Sequence, residues 1–297
     1  MNVMKILKTT IAFAFISLFH NAIYAQKNNI SLYANEVKYI NLLTDSLQKL
    51  PIDSLRLKLN AEISEKLNLL LVQSNVYSFK FDSLKRIGKV YSPDNKFRII
   101  SWNVPLLDGT HQFFSFIQIN PEKDSVCKVY RLKDGSRNTL RIYETRLNSN
   151  NWYGALYYDI IPVKTDKGIV YTLLGLRFND LFTTQKVIES LYFDNLGSPM
   201  FGAPIFNYNN RTQFRVIFEY GINVTMSLRF DERLKMIIFD HLSPSSPLYT
   251  NNFKQYGSDF TFDGLKFDDG KWQYFPNVNF LNTNKTVIKK KIDRRPK

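Results

Sequence analysis

Past the first thirty residues the chain holds two histidines, His111 and His241, and one cysteine, Cys127. His241 follows the apolar run Met236-Ile237-Ile238-Phe239 and stands between Asp240 and Leu242, with Ser243 just beyond. An imidazole with an ordinary pKa near ~6.5 exchanges protons at physiological pH. At a strand end beside Asp240, His241 is the candidate general base and Asp240 its candidate partner. The competing account is a structural histidine, hydrogen-bonded where a strand exits into a loop. No Gly-x-Ser-x-Gly elbow supplies a nucleophile. His111 follows Gly109-Thr110 and reads as a solvated turn residue.

Carboxylates give a second route to chemistry. Asp259, Asp263, Asp268 and Asp269 gather near the C-terminal strands, and Asp231 and Glu232 sit at a turn. Paired carboxylates hydrolyse glycosidic bonds when held several ångströms apart, but aspartates are also ordinary turn residues. No pair of His residues has ligand spacing, so neither a metal nor a cofactor is expected. Cys127 has no partner for an intrachain disulfide and reads as a small apolar strand residue. Among the aromatics, Trp102, Trp152 and Trp272 are candidate platforms for a sugar or peptide ligand. The alternative is core packing, which large rings dominate.

These residues need elements to hold them. Tyr33, Val37, Ile40, Leu43, Leu47 and Leu50 recur at helical steps, and Pro51 stops that helix. Leu55, Leu59, Ile63, Leu67 and Leu70 repeat the step, with Asp53 or Ser54 as the cap. The short link predicts an antiparallel helical hairpin. From Phe97 onward the pattern changes to strands, predicted over 97–104, 111–119, 126–132, 139–146, 152–163, 168–178, 184–194, 201–208, 212–220, 224–230, 233–240, 258–266 and 271–276. Asp108-Gly109, Asp134-Gly135 and Asp269-Gly270 punctuate them as hairpin turns. The expected fold is α+β: a helical hairpin followed by a large antiparallel β meander closed as a barrel, sandwich or propeller-like body.

The first residues carry an address. Lys5 and Lys8 precede the uncharged run Thr9 to Phe19, and Ala25 ends a polar break before Gln26. This is the pattern of a cleavable export signal, too short to span a bilayer. Gln26 is not the cysteine a lipoprotein would need at that point, and no later stretch has transmembrane length. The expected organisation is a signal over 1–25, hairpin and transition over 26–90, an antiparallel β domain over 91–280, and a disordered basic tail over 281–297.

The formal charge is +14, from 40 Lys and Arg against 26 Asp and Glu. Much of it is local: residues 285–297 hold seven basic side chains against Asp293 alone. The tail is a solvated terminus or a contact for an anionic surface. The export signal excludes nucleic acid as a partner.

Two resemblances follow. Ser92-Pro93-Asp94-Asn95-Lys96 before an aromatic strand looks like the blade-opening Ser-Pro-Asp-Gly-Lys of TolB-type propellers. It covers that segment alone, and no repeat of blade length recurs. Together with Phe97 to Asn103, the stretches Leu173-Leu174-Gly175-Leu176, Arg215 to Tyr220, Met226 to Asp231, Ile238 to Pro244 and Phe262 to Phe267 resemble a family of secreted proteins from Bacteroidota. The resemblance implies a periplasmic or extracellular bacterial protein and brings no catalytic residues with it. Two functions are therefore expected in order: an exported, non-enzymatic binding or structural protein of the cell envelope, with an envelope protein, a glycan or an anionic surface as partner; or an envelope hydrolase using His241 with nearby carboxylates.

Overall fold

The computed structural model describes residues 31–73, 75–121 and 126–279. The expected export signal and basic tail lie outside them. The described part of α1 covers residues 31–47, and α2 covers Asp53–Leu71. Tyr33, Val37, Ile40, Thr44 and Leu47 are buried along one face of α1. Tyr39 on α1 donates to Glu62 on α2 at 3.0 Å, so the hairpin forms as the periodicity predicts. The cap differs. Ile52 takes the N-cap position without a side-chain bond, and the Asp53 carboxylate instead accepts the backbone N–H of Leu107 at 3.0 Å.

Among the described residues sixteen strands follow: β1 (Gly88–Tyr91), β2 (Phe97–Pro105), β3 (His111–Ile119), β4 (Val129–Lys133), β5 (Leu147–Asn148), β6 (Leu156–Thr165), β7 (Gly168–Phe178), β8 (Thr183–Phe193), β9 (Pro199–Phe201), β10 (Phe206–Tyr208), β11 (Arg211–Gln213), β12 (Arg215–Gly221), β13 (Leu228–Asp231), β14 (Met236–Pro244), β15 (Tyr256–Asp268) and β16 (Lys271–Phe275). The fold is α+β with a large β-rich part. Cys127 falls just before β4 rather than inside it. The stretch 139–146 is not a strand but turns, and 201–208 breaks into the end of β9 and all of β10.

The chain forms two compact units of three segments each: Met1–Thr139, Leu147–Ile160 and Phe193–Met200 in unit 1; Leu140–Arg146, Ile161–Tyr192 and Phe201–Lys297 in unit 2. The boundary expected between residues 90 and 91 thus falls inside unit 1.

In unit 1, β1 to β4 form an antiparallel sheet in sequence order. Ile100, Trp102 and Phe116 join the helices in one apolar core with Ile40, Ile63 and Leu67. The fully buried Arg98 ties this core to the backbone after α2. Its guanidinium donates to the carbonyls of Val76 (3.1 Å) and Phe79 (2.8 Å), and to Gln118 Oε1 (2.5 Å). Gln118 in turn donates to Leu71 O at 2.6 Å. Buried charge is tolerated where every donor finds an acceptor. Residues Ser92 to Lys96 form a turn: Ser92 Oγ accepts the N–H groups of Lys96 and Phe97, and Asn95 takes a left-handed φ of 58°.

In unit 2, one sheet runs β11-β10-β16-β15-β14-β13. Two pairings depart from a simple meander: β10 lies parallel to β16, and β12 pairs with β8 rather than with a sequence neighbour. Apolar side chains from these strands, among them Leu174, Ile188, Phe239, Leu265 and Trp272, make the second core.

Candidate functional site

Unit 1 holds a cleft of about 430 Å³ beside α2, lined by Leu57, Asn60, Ser64 and Glu65 on one side and by residues of β2, β3 and β4 on the other. Register explains its aromatic lining. Trp102 and Phe114 sit opposite each other on β2 and β3, and their rings stack at 5.7 Å with planes 20° apart. Asn60, buried on α2, accepts the Trp102 indole N–H at 2.7 Å and fixes that ring. Trp102 is nearly sealed, whereas Phe114 is half-buried. The rim is charged. Arg131 on β4 reaches Glu65 on α2 at 2.6 Å, with both side chains about half exposed, and Lys133 and Asp134 also line the cleft. An aromatic lining beside hydrogen-bonding rim groups suits a small polar ligand with one apolar face.

Of the three tryptophans, only Trp102 lines this cleft. Trp152 is wholly buried and donates to the Tyr157 hydroxyl at 2.9 Å; Trp272 is wholly buried and donates to Thr172 Oγ1 at 2.8 Å. Neither offers a surface to a ligand. Glu65, Phe114, Arg131 and Lys133 were not singled out in the sequence. Glu65 stands on a helix position that periodicity leaves facing solvent, but nothing in the sequence marks Arg131 as its partner.

His241 occupies a different kind of site, in unit 2. On β14 and β15, Asp240 pairs with Phe262 and Leu242 with Ser258. His241 alone therefore faces the three-residue excursion Asp259-Phe260-Thr261. A bulge of this kind re-aims a side chain. Phe260, at its tip, holds a left-handed φ of 68° and is 89% exposed, a conformation an aromatic residue rarely adopts. His241 Nδ1 lies 2.7 Å from Asp263 Oδ2. The buried Asp263 carboxylate also accepts the Tyr274 hydroxyl at 2.7 Å and the Asn277 N–H at 3.0 Å. A carboxylate serving three donors makes Nδ1 a proton-bearing nitrogen, on a side chain 44% exposed. Burial, then the bond to Asp263, push the Tyr274 phenol well above its usual pKa. Asp259 is held below the usual carboxylate range, first by the Thr261 hydroxyl and, more weakly, by the charge of His241.

Asp240 is not the partner its adjacency suggested. Successive strand residues point to opposite faces, and its carboxylate accepts the Ser227 N–H at 3.0 Å. Asp268 and Asp269 belong to the β15–β16 turn. Asp263 is the one hydrogen-bond partner of His241 among the described residues, so this geometry orients a general base without a protein nucleophile.

His111 is half-buried at the start of β3, its Nδ1 2.5 Å from the Asn103 amide. Cys127 is buried with its thiol 3.3 Å from Gln73 O, and burial pushes the thiol pKa up; it is not poised as a nucleophile. Among the described residues no group of three or more His, Cys, Asp or Glu side chains is placed to hold a metal ion.

No family model, no curated protein and no solved structure matches this chain.

Proposed function

We propose that this chain is an exported, non-enzymatic binding protein of the cell envelope that takes a glycan into the cleft of unit 1. The observation that carries the reading is the stacked Trp102–Phe114 pair beside the Glu65–Arg131 rim. A sugar ring presents an apolar face to stack on Phe114 and hydroxyls for the rim carboxylate and guanidinium. Export rests on the pattern of residues 1–25, and the resemblance to secreted Bacteroidota proteins supports it.

The test is calorimetric titration of a panel of envelope glycans against the parent, Phe114→Ala and Glu65→Gln. A bound glycan should lose at least about ten-fold in affinity in each variant. A panel without a binder, or a binder indifferent to both substitutions, overturns the reading.

The 2.7 Å contact between His241 and Asp263 favours a second reading, a hydrolase in which His241 takes a proton from water. Ester turnover should then fall about 10²-fold or more in His241→Ala. Turnover equal to that of the parent removes this reading.

A further inference from the structure

Three connections in unit 2 expose large apolar side chains. Leu181 and Phe182 lie between β7 and β8, Ile222 and Val224 between β12 and β13, and Leu248 and Phe253 between β14 and β15. The backbone ties them together. Ile222 N–H donates to Phe182 O at 2.9 Å. The Lys254 ammonium stands 5.9 Å from the Phe182 ring centroid. Gly221 lies so close to Lys254 O that a methyl group there would come within 2.6 Å of it, and one at Gly257 would meet Val224 at 3.5 Å. Exposure is large at the tips, 61% for Phe182 and 91% for Leu248. Single exposed apolar residues are unremarkable, but a run of them over adjoining loops marks a contact surface.

The chemistry of the loops says what covers it. Residues 222–227 carry no charge, and residues 245–256 carry only Lys254. The one acidic side chain, Asp180, is spent within its own turn, accepting the N–H groups of Phe182 and Thr183 at 2.7 and 2.8 Å. Neutral Asn, Ser and Thr make up most of the rest. Such a tip enters the headgroup layer of a bilayer without desolvating a carboxylate, carries aliphatic and aromatic anchors, and keeps one ammonium for lipid phosphate. The excess of basic residues over the whole chain favours an anionic membrane.

We propose that these three loop tips of unit 2 dock the protein on an anionic phospholipid surface. Phe182, Leu248 and Phe253 enter the interfacial layer while Lys254 meets phosphate. None of its residues lines the ligand cleft, and the proposal stands or falls without that cleft.

The three native tryptophans are buried, which makes an introduced indole a clean reporter. Leu248→Trp places one at a tip; Ile169→Trp, in the same unit at the end of β7 remote from Leu181, places one as control. The full chain is mixed with phosphatidylcholine–phosphatidylglycerol vesicles bearing brominated acyl chains. The Leu248→Trp indole should shift to the blue and be quenched, the Ile169→Trp indole should not, and pure phosphatidylcholine should give less of both effects. In co-sedimentation, Phe182→Ser with Leu248→Ser and Phe253→Ser should weaken vesicle partition at least about ten-fold. Leu248→Ser alone, at a side chain 91% exposed, should weaken it in the same direction without touching the fold. Equal quenching at both reporter positions, or at neither, overturns the proposal. So does a parent that sediments as a dimer which the triple variant dissociates, since the surface is then occupied by a second copy.

Discussion

Arg215 and Glu189 face each other in register across β12 and β8, with Nε 2.7 Å from Oε1 and both side chains wholly removed from solvent. Arg215 also donates through Nη1 to the carbonyls of Ile142 and, at 3.0 Å, Thr145. A buried pair of this kind is costly to break from one side, because the remaining charge stays behind in a dry site. Arg215→Met should destabilise unit 2 by about 3–5 kcal/mol, read from urea unfolding. Adding Glu189→Leu should return part of the loss, though the carbonyls of Ile142 and Thr145 stay unpaired. A single substitution with an unchanged midpoint would contradict the burial of this pair.

The two ends of the His241–Asp263 contact should respond unequally. Asp263→Ala strands Tyr274, Asn277 and His241 donors around a buried position, which should cost about 1–3 kcal/mol. His241→Ala removes only a half-exposed partner and should cost less than about 1 kcal/mol. Thermal melts of both variants check the order; a costlier His241→Ala would show that the imidazole, not the carboxylate, organises the bulge.

Alkali should weaken the fold before it reaches the folded-state phenols. Burial raises Tyr77, Tyr208 and Tyr220 to about 12, with the charge of Asp263 adding to the shift at Tyr208. The ordinary phenol titrates near ~10. A raised folded-state pKa contributes stability that is complete below the unfolded value and is lost as pH rises through the folded one. The urea midpoint should therefore hold up to about pH 10 and fall between about 10 and 12. Tyr208→Phe should flatten that fall. A midpoint independent of pH across this window would mean that these hydroxyls are hydrated.

Gly221→Ala should act through the backbone that holds two of the docking loops together. Its methyl group would sit 2.6 Å from the backbone oxygen of Lys254, and backbone cannot rotate away as a side chain can. A loss of about 1–3 kcal/mol is expected, with hydrogen exchange accelerated over residues 253–257. Wild-type stability would show that this approach relaxes freely.

How much of this was legible beforehand depends on the range of the contacts. The predicted 168–178 matches β7 end to end, because alternation and flanking turns are local signals. The stretch 139–146 also alternates, yet it makes turns. Arg215 takes the carbonyls of Ile142 and Thr145, and the Phe214 N–H takes that of Tyr143 at 2.8 Å. Acceptors claimed by a segment seventy residues away are not available to a ladder, and Leu140 is left exposed. His241 was found by its type, whereas its partner was not. Asp240 is adjacent in sequence and opposite in face, whereas Asp263 pairs with Phe239 and so lies diagonal to His241 on one face, a relationship that only the pairing of β14 with β15 creates. The same holds for the cleft: Trp102 was conspicuous as a residue, but Asn60, Phe114 and Arg131 acquire meaning only from the pairing of β2 with β3 and the placing of α2.

The interleaving of the two units bears on how the protein comes into being. The chain passes from one unit to the other after residues 139, 146, 160, 192 and 200. No single cut releases either unit whole, and no N-terminal fragment emerging from a ribosome or a secretion channel contains all of unit 1 until residue 200 has followed. Part of unit 1 must therefore wait for segments that arrive late: Phe97 on β2 packs edge-on against Phe193, ring centroids 5.2 Å apart. Closing such distant contacts is slow. A chaperone that holds the first half open, or a channel that delivers the chain unfolded, would suit this threading better than piecewise maturation from the N-terminus.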